Sequence, residues 1–321
     1  MVEKYLSLIE AEITKQKFGD QPKSLYEPIR YIMKLGGKRL RPLLTILSYS
    51  LYKNDAKNII PYAIAVEAFH NFTLLHDDIM DKAPLRRGKA SVHEKWNVNT
   101  AILSGDVMLV KVYDIFLSLE KNKLKEVLKI FNGCAAEVCE GQQWDMEFES
   151  KKKISEDQYI EMIKLKTAVL LGFSLELGAL LADAPAQDQK ALRDFGISIG
   201  IGFQLKDDWL DVYADKRKFG KQVGGDIIAN KKTFLLINAL ENAKGSLKKE
   251  LEKWVAAKRF KKIEKVNAVT AIYNNLNIGT ITEKRIQHYF DKGFASLERI
   301  ASKNGIDPLK DLVRSLISRE A

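Results

Sequence analysis

Apolar residues in this chain recur at helical spacing over stretches too long for strands. Alternating β-branched runs are scarce, and only 7 prolines punctuate 321 residues. Long helices are therefore the expected building material. Ile64, Val66, Ala68, Phe69, Phe72 and Leu75 mark one such helix, with Pro84 as a stop at or after its last turn. Further helices are expected over 101–119, 154–182, 187–213 and 232–243, with a turn at Asp183-Ala184-Pro185-Ala186. The C-terminal third is amphipathic and Lys-rich. No low-complexity linker and no internal repeat breaks the pattern. The expectation is an all-α fold, one domain over 1–321, built as a bundle of long antiparallel helices.

Charge and cysteine content exclude several function classes. The net charge is +10, but the Lys-rich stretches 121–129 and 244–265 read as solvated helix faces. A nucleic-acid binder would interleave its cations with stacking aromatics or carry a known reader motif, and neither is found. Cys134 and Cys139 are the only cysteines, with no CxxC and no nearby His pair. They form neither a disulfide framework nor a zinc site and are expected in the core. A reducing, cytoplasmic setting fits them. The N-terminus, Met1-Val2-Glu3-Lys4-Tyr5, does not read as a signal peptide. The longest apolar run, 165–182, contains Lys166 and Glu176, so it reads as a buried helix and not as a membrane span.

Two acidic clusters stand out, Asp77-Asp78-Ile79-Met80-Asp81 and Asp207-Asp208-Trp209-Leu210-Asp211. With 20 Asp in the chain, chance would give about 0.08 DDxxD matches, yet two occur. On a helix, residues i and i+4 share a face, so Asp77 stacks with Asp81 and Asp207 with Asp211. Both clusters lie in apolar stretches where unpaired carboxylates would be costly. A cation between the carboxylates resolves the conflict. Hard oxygen donors select Mg²⁺, with Mn²⁺ as an alternative, and Mg²⁺ readily completes its shell with phosphate oxygens and water.

Cations accompany the acids. Gly36-Gly37-Lys38-Arg39-Leu40-Arg41-Pro42 sets flexible backbone before three cations. Arg86-Arg87-Gly88 follows the first cluster within a few residues, in an expected loop. Lys221 and Lys231-Lys232 follow the second. Arg and Lys both suit phosphate oxygens. Carboxylates that hold metal, metal that holds a diphosphate, and cations that neutralise the remaining oxygens make one consistent set.

The combination of Gly36 to Pro42, His70, Asp77 to Asp81, Arg86-Arg87, Lys166-Thr167, Phe203-Gln204, Asp207 to Asp211 and Lys221 to Lys231 closely resembles the trans-isoprenyl diphosphate synthases. The order and spacing match over Gly36 to Lys232; the last hundred or so residues match only in helical character. The resemblance implies an isoprenoid-synthase-like bundle around a central cavity. It implies a prenyltransferase that condenses isopentenyl diphosphate with an allylic diphosphate (dimethylallyl, geranyl or farnesyl). Asp77, Asp78, Asp81, Asp207, Asp208 and Asp211 would bind three Mg²⁺ on the allylic diphosphate, and Arg86, Lys166, Lys221 and Lys231 would complete that grip. Lys38, Arg41, His70 and Arg87 would hold isopentenyl diphosphate. Thr167 and Gln204 would sit beside the reacting allylic carbon, with Asp145 near the metals. The segments around Arg86-Arg87 and over 216–225 are candidate lids. A homodimer is implied, with 101–119 as a candidate interface.

Chain length should depend on the residues just before Asp77. Phe69, Phe72, Thr73 and His76 share a helix face. In the resembling family, an aromatic at Phe72 with a small residue at Thr73 suggests a floor deeper than in strict C15 enzymes. The first cluster also lacks the two-residue insertion typical of bacterial C15 enzymes. The expected product is geranylgeranyl diphosphate (C20), ahead of farnesyl diphosphate (C15). Two rivals are a class I terpene cyclase of the same fold and a non-catalytic regulatory subunit. The complete second DDxxD with Lys38 and Arg41 argues against the first, and the intact clusters against the second.

Overall fold

A computed structural model describes residues 1–214, 224–301 and 305–318. Among these, the chain is all-α apart from one two-stranded hairpin. It divides into two compact units. The first comprises 1–134, 170–193 and 299–309; the second comprises 135–169, 194–298 and 310–321.

The first unit gathers around α4 (Ile60–Met80). Pro61 in its first turn suits a helix start, where a missing N–H costs nothing. Its middle, from Ala63 to Phe69, is buried on every side, as expected of a helix at the centre of a bundle. Helices α1 (Val2–Lys15), α2 (Lys23–Lys34), α3 (Leu40–Ser50) and α6 (Val98–Phe116) pack against it, with the short α5 (Val92–Lys95) leading into α6. Phe131, from the first part of α7 (Lys121–Ser150), meets Phe69, Tyr113, Phe116 and Phe173 with ring centroids 5.1 to 5.7 Å apart. Such an aromatic cluster contributes both buried area and edge-to-face contacts.

The α4 helix stops earlier than Pro84. It ends at Met80, with the Asp81 N–H donating to the Asp77 carbonyl at 2.9 Å and Lys82 turning left-handed at φ 51°. The expected loop at 86–88 is the hairpin, Leu85–Arg86 paired with Lys89–Ala90. Its two-residue turn, Arg87-Gly88, has both φ values positive at 52° and 74°, which matches the twist of a tight antiparallel hairpin.

The second unit corrects the expectation of one helix over 154–182. Helix α8 (Glu156–Ile163) opens on a Ser155/Gln158 capping box. A π-helical turn follows over Lys164–Ala168, and α9 (Val169–Leu181) continues beyond it. Close packing explains the turn. A Cβ on Gly141 of α7 would lie 2.2 Å from the Lys166 backbone N, and one on Gly200 of α10 (Ala186–Tyr213) 2.6 Å from the Ala168 Cα. The two glycines let neighbouring helices press on the turn. Beyond α10 come α11 (Gly225–Ala229), α12 (Phe234–Asn242), α13 (Gly245–Ala256), α14 (Lys262–Asn275) and α15 (Ile278–Glu298), then α16 (Ile306–Ile317). Val212, Leu235, Leu236, Leu251, Val269 and Tyr273 form the core there.

The cysteines separate. Cys134 is buried, but Cys139 is exposed, against the expectation that both are core. Five residues on a helix turn the side chain through about 140°, so both cannot face inward. Among the described residues, no helix is long and apolar enough to cross a membrane.

Candidate active site

The first acidic cluster lies at the C-terminal end of α4. Asp78 is 1 % exposed. The Arg86 guanidinium, carried by the hairpin, donates to both its carboxylate oxygens, with Nε at 3.0 and 3.1 Å. Arg86 also lies 3.5 Å from Asp77. Burial raises the Asp78 carboxyl, and Arg86 opposes that rise. Asp77 is half-buried and Asp81 exposed, so the i,i+4 pair stays accessible while the middle acid is enclosed.

The three cations of 38–41 have different fates. Lys38 is exposed. Arg39 is buried, with Nε 2.7 Å from Glu10, Nη1 2.7 Å from Glu67 and Nη2 2.7 Å from the Met33 carbonyl. That is a structural network which ties α1 to α4. Arg41 instead turns toward His70, Nη1 to Nε2 at 3.1 Å. A guanidinium can only donate, so His70 Nε2 accepts and the imidazole is neutral. Burial, then Arg41, Arg87, Arg86 and Arg39, hold His70 well below its usual range. Burial brings Arg41 down to about 10, with Arg87 pushing the same way. Arg87 itself donates to the Gly36 carbonyl. So Arg41 and Arg87 gather positive charge around the neutral His70, and an anion is the natural partner for that arrangement.

Phe72 and Thr73 sit on the preceding turns of α4. The Phe72 ring lies 4.7 Å from His76 and 5.6 Å from Phe69. The Thr73 hydroxyl donates back to the His70 carbonyl at 2.8 Å, so this side chain offers its neighbours a methyl group.

The second acidic cluster lies near the end of α10. Asp208 is 4 % exposed. It accepts from the Tyr159 hydroxyl and, at 3.1 Å, from the Gln204 amide. Burial and then Asp226 push its carboxyl up to about 8, against the pull of Tyr159, Lys231 and Gln204. Asp207 and Asp211 are half-buried. The π-turn aims the next two side chains. Lys166 Nζ lies 2.6 Å from Asp145, and the Thr167 hydroxyl lies 3.4 Å from Gln204 Oε1. Burial would raise Asp145, but Lys231 and Lys166 pull it below its ordinary value. π-bulges recur at functional sites because they re-aim side chains.

Lys231 and Lys232, adjacent in sequence, do different things. Lys231 acts electrostatically on Asp145, Asp208 and Asp226. Lys232 donates to the Phe148 and Glu149 carbonyls at the end of α7, a cap for orphan acceptors. Lys221 and most of the candidate lid over 216–225 lie outside the described residues.

Two residues escaped the sequence reading. Tyr159 carries no motif signal. Asp226 is a single acid after Gly224-Gly225; its N–H donates to Asp211 Oδ2 at 2.9 Å. Burial raises its carboxyl to about 6, with Lys231 opposing and Asp211 and Asp145 reinforcing. Only its proximity to the second cluster in sequence could have drawn attention to it.

Among the described residues, no three His, Cys, Asp or Glu side chains converge into a cage that could hold an ion alone. Mg²⁺ does not need one: one or two carboxylates suffice when phosphate oxygens and water fill the shell. Paired half-buried carboxylates, flanked by Arg and Lys, fit that donor chemistry.

Known proteins resemble this chain in sequence and fold. The family model described as polyprenyl synthetase matches residues 22–273. The short chain isoprenyl diphosphate synthase of Methanocaldococcus jannaschii is 41% identical over 251 residues, covering 78% of this chain and 76% of its own. The geranylgeranyl diphosphate synthase of Methanosarcina mazei is 44% identical over 224 residues, 69% of each chain. A crystal structure of a geranylgeranyl pyrophosphate synthase matches with TM-score 0.95 at 41% identity, covering 100% of this chain and 99% of that one.

Proposed function

We propose, since this chain belongs to the polyprenyl synthetase family and is a prenyltransferase, that it condenses isopentenyl diphosphate with an allylic diphosphate in a Mg²⁺-dependent reaction. The observation that carries the reading is the shared build of the two acidic clusters. In each, the middle acid is enclosed by donors, Asp78 by Arg86 and Asp208 by Tyr159 and Gln204. In each, the outer i,i+4 acids are less deeply buried than the middle one: Asp77, Asp207 and Asp211 are half-buried and Asp81 is exposed. Asp77, Asp81, Asp207 and Asp211 would hold the Mg²⁺ ions, three in all. Asp78 and Asp208 would set the geometry of their helix ends.

When bound, Mg²⁺ supplies Lewis-acid stabilisation of the leaving diphosphate. The chain's own residues do the rest. Arg86, Lys166, Lys221 and Lys231 neutralise the oxygens that gain charge as the allylic C–O bond breaks. Lys38, Arg41, His70 and Arg87 hold isopentenyl diphosphate; neutral His70 can donate from Nδ1 while Arg41 supplies charge. The Gln204 carbonyl, already a hydrogen-bond acceptor for Thr167, offers negative polarity to the allylic cation. The isopentenyl double bond then attacks that cation, and a proton is lost to the released diphosphate. Water has to be excluded meanwhile.

The product reading is geranylgeranyl diphosphate, ahead of farnesyl diphosphate. Phe72 in its aromatic contacts with Phe69 and His76 is the proposed floor, and the geranylgeranyl diphosphate synthases among the relatives above support the length. A homodimer is also proposed. Leu103 and Val110 on α6 and Leu117 at its C-cap recur at seven-residue spacing and are 58%, 56% and 61% exposed, an apolar stripe suited to a second copy. A cytoplasmic location is proposed from the two free cysteines, and one continuous domain from the full-length match.

The test is direct. Purified protein with Mg²⁺, an allylic diphosphate and isopentenyl diphosphate should yield a longer prenyl diphosphate and free diphosphate, and EDTA should abolish both. No condensation would sink the synthase reading; diphosphate release without isopentenyl diphosphate would point to a cyclase.

A further inference from the structure

Asp226 and Lys231 sit on a segment with little internal support. Helix α11 is only five residues long and lies between two left-handed residues, Gly224 at φ 89° and Asn230 at φ 55°. So short a helix does not hold itself. From one side α10 holds it: Gly224 N–H donates to the Asp211 carbonyl at 2.6 Å, and Asp226 N–H to the Asp211 side chain at 2.9 Å.

From the other side α14 holds it through two consecutive residues. Val266 methyls would lie 2.7 Å from any Cβ on Gly224, so that position needs glycine for both space and φ. Lys265 is 1 % exposed. Its ammonium donates to Asn230 Oδ1 at 2.6 Å and to the Ile228 carbonyl at 3.4 Å, and lies 4.2 Å from the Phe260 ring centroid. Asn230 in turn donates to the Val255 carbonyl at 3.1 Å. Lys265, Asn230, Asp226 and Lys231 all line one cavity of about 10 Å³.

Among the described residues, the contacts of Lys265 include no carboxylate. Among the described residues this buried ammonium is held by neutral acceptors and a ring, a costly way to fill a core position, and a methionine would fill similar volume without that cost. What the ammonium adds is fixed geometry. It ties down the last carbonyl region of α11 and the side chain of the residue immediately before Lys231. The Lys231 N–H then closes on the Asp226 carbonyl at 2.9 Å, so the two functional residues move as one unit.

We infer that Lys265 is a positioning residue: by fixing the Ile228–Asn230 turn from behind, it presents Lys231 and Asp226 to the allylic diphosphate and its metal ions. The inference rests on the function proposed above. It names no contact between Lys265 and substrate. Its effect should therefore fall on the allylic side alone, because the isopentenyl-binding residues Lys38, Arg41, His70 and Arg87 belong to the other unit.

Steady-state kinetics on the full-length protein test this with two variants. Lys265→Met keeps volume and removes the charge. Asn230→Gly keeps the left-handed turn and removes the side chain, and with it both the acceptor for Lys265 and the donor to the Val255 carbonyl. Each should raise KM for the allylic diphosphate about tenfold or more, and the Mg²⁺ concentration for half-maximal rate with it, while KM for isopentenyl diphosphate stays within about twofold. The double variant should be no worse than the worse single one, because both remove one link. Unchanged allylic KM in both variants would overturn the inference. So would equal rises in both KM values, which is the signature of general loosening. If Lys265→Met does not fold, Asn230→Gly decides alone. A wild-type protein that fails to condense the substrates would instead overturn the proposed function.

Discussion

The two acidic clusters have the same spelling but are balanced by different physics. Each lies at the C-terminal end of a helix, where the macrodipole already disfavours carboxylates. At the first, a full opposite charge offsets the cost, with Arg86 forked onto Asp78. At the second, neutral donors enclose Asp208, and the carboxyl rises to about 8. The same motif thus rests on an ion pair in one unit and on a hydrogen-bonded, proton-retaining acid in the other. The less deeply buried outer pairs are common to both. That separates what the chemistry needs from what each helix end needs.

The largest effect should come from the outer acids. Asp77→Asn and Asp207→Asn should each lower kcat/KM by on the order of 10³-fold or more, measured by incorporation of labelled isopentenyl diphosphate, because each removes electrostatic stabilisation at the leaving group. Equal losses would support the shared role; a mild loss at one would break the parallel.

The middle acids should instead divide the clusters. Asp78→Asn leaves Arg86 facing a neutral group, and since the Arg86 side chain is 26% exposed, solvent should limit the cost to about 1–3 kcal/mol. Asp208→Asn keeps an acceptor for Tyr159, and the Gln204 amide can flip to meet the new NH₂, so its cost should stay under about 1 kcal/mol. Denaturant unfolding of both variants checks the order.

Product length tests the region just before the first cluster. Phe72→Ala removes the ring that packs on Phe69 and His76 and should lengthen the main product by about one isoprene unit, a floor-lowering effect of cavity creation. An unchanged product by chromatography would remove Phe72 as the floor.

The smallest effect is a pH slope. Asp208 is protonated in the folded state up to about 8, whereas the unfolded carboxyl ionises near its ordinary value. The folded state therefore binds more protons between these limits, and its stability through this group falls as pH rises toward 8, by at most about 1.4 kcal/mol per pH unit. Unfolding free energies across pH 6.5 to 8 should fall in the wild type and flatten in Asp208→Asn. Asp78→Asn should leave that slope in place.

Much of this is legible in the amino-acid sequence. The helices, the acidic spacing and the neighbouring cations follow from local periodicity and charge, and α4, α6 and α10 lie close to where periodicity placed them. What stayed hidden depends on partners far away in the chain. The π-turn that carries Lys166 and Thr167 needs Gly141 and Gly200 from two other helices. Arg39 and Arg41 look alike in sequence, but Glu10 and Glu67 claim the first and His70 meets the second. Tyr159 matters only because Asp208 lies against it. No local rule separates Lys231 from Lys232.

The outer pair of each cluster should take up Mg²⁺ together with the allylic diphosphate. Calorimetric titration with Mg²⁺ in the presence of an unreactive allylic thiolodiphosphate measures this without turnover. The wild type should take up more Mg²⁺ per chain than either Asp77→Asn or Asp207→Asn. Analogue binding that is the same with and without Mg²⁺, or equal uptake by all three proteins, would contradict it.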